Sequence, residues 1–255
     1  MTATALVTGG AVRIGRTIAL RLAAEGFAIA CHHRSSADEA EGLKAEIEAA
    51  GGTCRLFRAD LAESGAADRL FDRVEAEMGA PTILVNNASR FSNDAADAFG
   101  EDALAGHMAV NLTAPVGLAR RLHAAAREGA DHLVVNMLDA KLFQLTPDFF
   151  TYTLSKYALL GATRTMAIGY APAVRVVGIA PSITLISGKQ NEENFQRSKR
   201  LTLLERGPEP DEIAEAVLFA WRTKSMTGEV LTLDGGQRLM NLPRDTAFYV
   251  KEGLL

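Results

Sequence analysis

Cysteine is nearly missing from this chain: Cys31 and Cys54 are the only two among 255 residues. Two thiols in strand-like contexts make no disulfide framework, and their expected state is buried and reduced. Long apolar runs are missing too. None reaches the roughly 18 residues that a membrane span requires. The opening stretch Ala3-Thr4-Ala5-Leu6-Val7 reads as a strand, without the basic and apolar regions of a secretory leader. The expected location is the cytoplasm. Positive charge is not in surplus either: 27 Lys and Arg stand against 31 Asp and Glu, for a formal charge of −4. Without a basic stripe, the electrostatic footprint of a nucleic-acid partner is lacking. The five histidines (His32, His33, His107, His123 and His132) show no metal-ligand spacing, so no metal centre is expected. No repeat, low-complexity tract or Pro/Ser linker divides the sequence, and one domain with a full core is expected over 1–255.

What is present is alternation. Short apolar, β-rich runs at 3–8, 27–33, 53–58, 82–86, 132–138, 174–179 and 229–233 predict strands. Between them, helical patterns occupy 13–25, 37–50, 64–78, 107–128, 150–170 and 210–222. Near-continuous apolar strands alternating with helices predict a parallel sheet covered on both faces. The expected fold class is α/β: a Rossmann-type doubly wound parallel sheet of about seven strands. The polar stretch 182–208 fits neither pattern, and it is either a substrate loop or lid or a plain surface excursion.

Ligands of such sheets bind beyond the carboxyl ends of the strands. The first strand runs into Val7-Thr8-Gly9-Gly10-Ala11-Val12-Arg13-Ile14-Gly15, where glycines allow backbone to approach a phosphate at a helix N-terminus. The second ends in His32-His33-Arg34-Ser35-Ser36. An acidic residue there would bind the ribose 2′-hydroxyl of NAD, whereas Arg34 with His33 and Ser35 suits the 2′-phosphate of NADP. The competing reading is a solvated basic loop. After the third strand, Asp60-Leu61 offers a carboxylate either to an adenine or to a helix N-terminus. After the fourth, Asn86-Asn87-Ala88-Ser89 lets backbone approach a flat cofactor.

Tyr152 and Lys156 lie four residues apart in a predicted helix and therefore share a face. A phenol with an ordinary pKa near ~10 needs a tuned environment before it can trade protons at neutral pH. Asp139 lies thirteen residues upstream, at the end of the run Leu133–Leu138.

Taken together, Thr8-Gly9…Gly15, Asn86-Asn87-Ala88 and Tyr152…Lys156 resemble the short-chain dehydrogenase/reductase family. The resemblance covers nearly the whole chain and includes Asn111, Pro181-Ser182 and Asp234-Gly235-Gly236. It implies that Tyr152 exchanges the proton and that Lys156 binds the nicotinamide ribose and lowers the Tyr152 pKa. Asn111 would anchor a water-linked proton path, with Gly9, Ile14, Gly15, Leu61, Ala88, Pro181 and Ser182 along the cofactor. Helices equivalent to 107–128 and 150–170 pack between subunits in that family, which implies a homotetramer.

Three departures narrow the likeness: Arg13 in place of a third loop glycine, Asp139 in place of a catalytic serine, and Phe91 after Ser89-Arg90. With His33-Arg34-Ser35 they resemble the pteridine reductase branch, which uses NADPH to reduce pterin C=N bonds. A flat pterin can lie between the nicotinamide and Phe91, with the fork of Arg13 reaching both the pyrophosphate and the pterin ring. Ser89, Asp139 and Tyr152 complete the expected substrate contacts. Asp139 and Tyr152 are expected to act as a coupled proton donor; alternatively, Asp139 only caps the following loop.

The reading that follows is an NADPH-dependent reductase of dihydromonapterin, dihydrobiopterin or dihydrofolate. A carbonyl or 3-oxoacyl-thioester reductase of the same family is the alternative, and a dinucleotide-sensing protein is the third. Trp221 and Phe219 are expected in the core or at a subunit interface. The apolar tail 240–255, with Phe248, Tyr249 and Leu254-Leu255, is expected to fold over its own or a neighbour's cleft.

Overall fold

Strand β1 (Thr4–Val7) lies inside the sheet, where every side chain it carries is apolar or small enough to be buried on both faces. The computed structural model describes residues 2–127, 129–187 and 190–253. Within them β2 (Ala28–His33), β3 (Cys54–Arg58), β4 (Ile83–Asn86), β5 (His132–Met137), β6 (Val174–Pro181) and β7 (Val230–Leu233) join β1 in one seven-stranded sheet. The order is β3-β2-β1-β4-β5-β6-β7, and every pairing is parallel. Leu6 is the partner of both Ala30 on β2 and Leu84 on β4. The chain leaves β1 in one direction for β2 and β3 and returns on its other side for β4, so a crevice opens at the carboxyl ends of β1 and β4.

Strand alternation sorts the core into two layers. Ala5, Val7, Ile29 and Cys31 face α1 (Arg13–Ala24), α2 (Ala37–Ala49) and α8 (Pro210–Arg222). Leu6, Ala30, Leu84 and Val134 face α3 (Ala66–Met78), α5 (Ala114–Ala125) and α6 (Phe150–Tyr170). The seven strands stand where the apolar runs predicted them. Both cysteines are buried, and burial pushes each thiol up to about 12, which leaves them unreactive. Phe27 packs edge-on against Trp221, while Phe219 on the same helix is half exposed.

Three segments differ from expectation. The helix expected at 107–128 starts earlier, as α4 (Glu101–Met108), and passes through a π-helical turn, Ala109–Thr113, into α5. Residue 128 lies outside the described residues. The polar stretch 182–208 contains a helix, α7 (Glu192–Arg200), although residues 188 and 189 of that stretch are likewise outside the described residues. Only Phe195 and Ser198 of α7 are buried, so no apolar stripe announces it. The Asn191 side chain caps it, with Glu192 and Glu193 in the first turn and Arg197, Lys199 and Arg200 in the last, complementing the helix dipole. Finally, the tail forms α9 (Thr246–Lys251), packed on α7. Leu254 and Leu255 are outside the described residues. Among the described residues no helix is long and apolar enough to cross a membrane.

Candidate active site

The turn from β1 into α1 is fastened to the end of β4 by one hydroxyl. Thr8 Oγ1 accepts the Asn87 and Ala88 N–H groups at 2.9 and 3.0 Å, and donates to the Val85 carbonyl. The Asn87 amide answers by donating to the carbonyls of Thr8 and Gly9. Gly9 sits at φ +62°, in the region that favours glycine, and a Cβ on Gly15 would run into the Gly9 carbonyl oxygen. Arg13 also sits at positive φ, +55°, so this is a backbone position that glycine fills at less cost. Its guanidinium donates to the Ile186 carbonyl at 2.8 Å and reaches that of Leu185, tying the phosphate-type loop to the stretch after β6.

His32, which the sequence left without a role, clips this loop from the other side. Its Nδ1 accepts the Gly9 N–H at 3.1 Å and its Nε2 lies 3.1 Å from the Ala59 carbonyl. Burial lowers its pKa to about 4, so the ring is neutral with its proton on Nε2, donating to Ala59. Beside it, His33 Nδ1 is buried and has no hydrogen-bond partner among the described residues, and the same holds for Ser182 Oγ. Arg58 donates to the Arg34 carbonyl and holds the basic loop at the mouth. Asp60 Oδ1 accepts the Ala62 N–H in a local turn and does not cap α3, which begins after Gly65; the residue borders the cleft.

The chemical half is organised by α6. Tyr152 and Lys156 are 6% and 3% exposed on its inward face. Tyr152 Oη donates to Asp139 Oδ2 at 2.8 Å, while Asp139 Oδ1 accepts the Lys141 N–H at 2.8 Å. Asp139 thus caps the following turn with one oxygen and accepts the Tyr152 hydroxyl with the other. Lys156 Nζ donates to the Met137 carbonyl at 2.7 Å and stands 5.7 Å from the Tyr152 ring centre. Burial pulls its pKa down to about 8. Burial first, and then the Asp139 carboxylate, holds the Tyr152 phenol well above its ordinary value. The expected lowering by Lys156 is therefore reversed here: the phenol keeps its proton, because a buried phenolate would face a carboxylate.

Phe91, 42% exposed, stacks on Phe149 with ring centres 4.4 Å apart and meets the Tyr152 ring edge-on at 4.7 Å. Asn111 lies in the π-helical turn, a local widening often found at functional sites. Its amide is used in place: it accepts the Arg90 N–H, and donates to the Arg90 carbonyl and to Ser155 Oγ. Asn111 holds the Ser89–Phe91 segment against α6.

Every other residue singled out for cofactor or substrate borders one cleft of about 920 Å3, and Asn111 stands behind its wall. Sequence reasoning missed Lys141 and Phe149 in the cleft wall, while the tail, expected over a cleft, lines this one with Asp245, Thr246 and Ala247. The tail covers the cleft of its own chain. Phe149 at φ +58° precedes α6, and its aromatic neighbours were the available signal.

A family model described as enoyl-(acyl carrier protein) reductase matches residues 10–238. The chain is 29% identical to pteridine reductase 1 of Leishmania tarentolae, over 92% of this chain and 96% of that protein. It is 32% identical to the granaticin polyketide synthase putative ketoacyl reductase 2 of Streptomyces violaceoruber, with the same coverage. Among solved structures it is similar to FolM alternative dihydrofolate reductase 1 of Brucella suis in complex with NADP. That match has 42% identity and a TM-score of 0.90, covering 93% of this chain and 95% of that one. The Brucella canis counterpart, also with NADP, gives 41% and 0.87, covering 93% and 94%. One parallel sheet, a glycine turn after β1 and a buried Tyr152/Lys156 pair agree with these likenesses, and the chain belongs to the short-chain dehydrogenase/reductase family of oxidoreductases.

Proposed function

We propose that this protein is an NADPH-dependent reductase of a pterin C=N bond. The observation that carries the reading is the 2.8 Å hydrogen bond between Tyr152 and Asp139, with Phe91 edge-on to the same ring. A carboxylate in this place accepts the phenol's hydrogen bond and can orient Tyr152 for proton transfer to a ring nitrogen. The relatives named for pteridine and dihydrofolate reduction support the same direction.

The residues present fit NADPH. The φ +62° turn at Gly9 and the side-chain-free approach at Gly15 leave backbone N–H groups at the start of α1 for a pyrophosphate. The unpartnered His33 Nδ1, with Arg34 and Ser35, provides for the 2′-phosphate, and the unpartnered Ser182 Oγ follows Pro181 along the cleft. NADPH, when bound, supplies the hydride. Tyr152 retains its proton at neutral pH and is the donor to the nitrogen, while Asp139 Oδ2 holds the phenol in line. Lys156 carries positive charge below about pH 8 and would hold the nicotinamide ribose. Phe91 would cover one face of the pterin, and the Arg13 fork, bonded here to the Ile186 and Leu185 carbonyls, would be exchanged onto pyrophosphate and pterin. Exposed Leu154, Tyr157 and Ile168 on α6 support assembly into a homotetramer, readable as molar mass by light scattering.

The test is NADPH oxidation with a panel of dihydropterins and dihydrofolate beside an acetoacetyl thioester. Turnover of a pterin, falling in Asp139→Ser with NADPH affinity retained, is expected. Oxidation with the thioester alone would establish instead the carbonyl reading, which the 32% identical ketoacyl reductase relative favours.

A further inference from the structure

Lys141 drew no reading from the sequence, and Asp245 caps α9 by accepting the Ala247 N–H with one oxygen; together they form an ion pair inside the cleft. Their side chains are only 9% and 16% exposed. A pair this far from water is costly unless it is well bonded, and it is strongly felt by its neighbours. Those neighbours are the proton-donating groups. The Lys141 backbone N–H is bonded to Asp139, whose other oxygen accepts Tyr152. The Lys141 ammonium lies 5.0 Å from the Phe149 ring centre, in the aromatic cluster that includes Phe91. Asp245 follows Arg244, which clasps Asp148 at 2.7 Å and also binds Glu252. The Asp245 N–H is bonded to Asp148, and the Gln144 amide donates to the Leu242 carbonyl. The tail is thereby strapped beside the β5–α6 turn.

Among the described residues, the charged groups around Tyr152 are two carboxylates, Asp139 and Asp245, and two ammonium groups, Lys141 and Lys156. Asp148 and Arg244 form a second compensated pair behind them, with Glu252 outside. The neutral imidazole of His107 is 6.1 Å from the Tyr152 ring on the α4 side. Removing one member of the Lys141–Asp245 pair leaves a net charge beside the donor, and removing both leaves none.

We propose that Lys141 and Asp245 are positioning residues: a charge-balanced strap from the C-terminal tail that sets the pH range over which the Asp139–Tyr152 pair delivers its proton. This rests on the reading of that pair as the proton donor. It assigns the tail a chemical task in addition to walling the cleft.

The experiment is a charge cycle. Turnover is followed against pH for the wild-type protein, Lys141→Met, Asp245→Asn, the double variant and Lys141→Arg. Lys141→Met leaves negative charge, so the pH above which turnover falls rises; Asp245→Asn leaves positive charge, so it falls. Each displacement is on the order of one pH unit, as expected for a unit charge several ångströms away. The double variant and Lys141→Arg return close to wild type. Five coincident midpoints would overturn the proposal, however much the rates drop, because a merely structural strap lowers rate without moving the profile. Hydrogen exchange of the α9 amides, which needs no substrate, is expected to quicken in both single variants; unchanged exchange would also overturn it. If the wild type reduces no pterin, the pterin reading fails by itself, and the cycle is read on the carbonyl substrate it does reduce.

Discussion

Lys156→Met is predicted to stabilise the ligand-free protein while abolishing its turnover. The ammonium is 3% exposed and gains one neutral acceptor, the Met137 carbonyl, at 2.7 Å. Burial lowers its pKa from 10.5 to about 8. At roughly 1.4 kcal/mol per pH unit, keeping it charged costs the fold about 3 kcal/mol below pH 8. A methionine of similar length removes that cost but leaves the Met137 carbonyl without its donor, an offset of about 1 kcal/mol. The net gain is about 2 kcal/mol, or a Tm rise of about 4–8 °C for a chain of this size. The sign with pH follows from the lowered value. Between about 8 and 10.5 the folded protein sheds this proton before the unfolded chain does, so the cost fades as pH rises. Urea unfolding followed by circular dichroism at pH 7 and pH 10, without cofactor, measures the effect. The variant's advantage is expected at pH 7 and is expected to shrink at pH 10. A variant no more stable than wild type at pH 7, or an advantage that does not narrow, would refute the argument.

Other substitutions probe the remaining parts of the site. Arg34→Ala is expected to raise the KM for NADPH by about 10- to 100-fold, the loss of one charge-assisted phosphate contact, with that for NADH nearly unchanged; equal losses would reduce Arg34 to a surface charge. Asp139→Ser is expected to lower kcat for a dihydropterin by about 100-fold while the Kd of NADPH, by fluorescence titration, stays within about twofold. Thr8→Val strands two backbone N–H groups at the β1–β4 junction, and is expected to cost about 2–4 kcal/mol in urea unfolding, with Thr8→Ser close to neutral.

The sheet and most of the cleft were legible because their signals are local. Strands buried on both faces read as unbroken apolar runs, and cleft-lining residues stand at or just past their carboxyl ends, as Gly9, Arg34, Asn87 and Pro181 do. Where a residue's meaning depends on a distant partner, the sequence was mute. Lys141 meets Asp245 across 104 positions, and the helix cap that Asp245 makes at α9 says nothing of that partner. His32 passes for an ordinary strand histidine until Gly9 and Ala59 close on its two nitrogens. The helix α7 has too few buried positions to show a period, so its stretch reads as a loop. The direction of the Tyr152 shift was also out of reach. A cation four residues away suggests a lowered phenol, but depth of burial and the aim of the Asp139 carboxylate decide the opposite.

The central claim is that a hydride from NADPH and a proton from the Asp139–Tyr152 pair reduce a C=N bond of a pterin. Its most direct test is a single turnover with NADPH deuterated at the reactive C4 position and a dihydropterin, analysed by mass spectrometry and NMR of the product. The account predicts a tetrahydropterin carrying one deuteron on ring carbon, formed by wild type and not by Asp139→Ser within the same time. Unlabelled pterin recovered intact, with NADPH consumed only when an oxoacyl thioester is supplied, would contradict it.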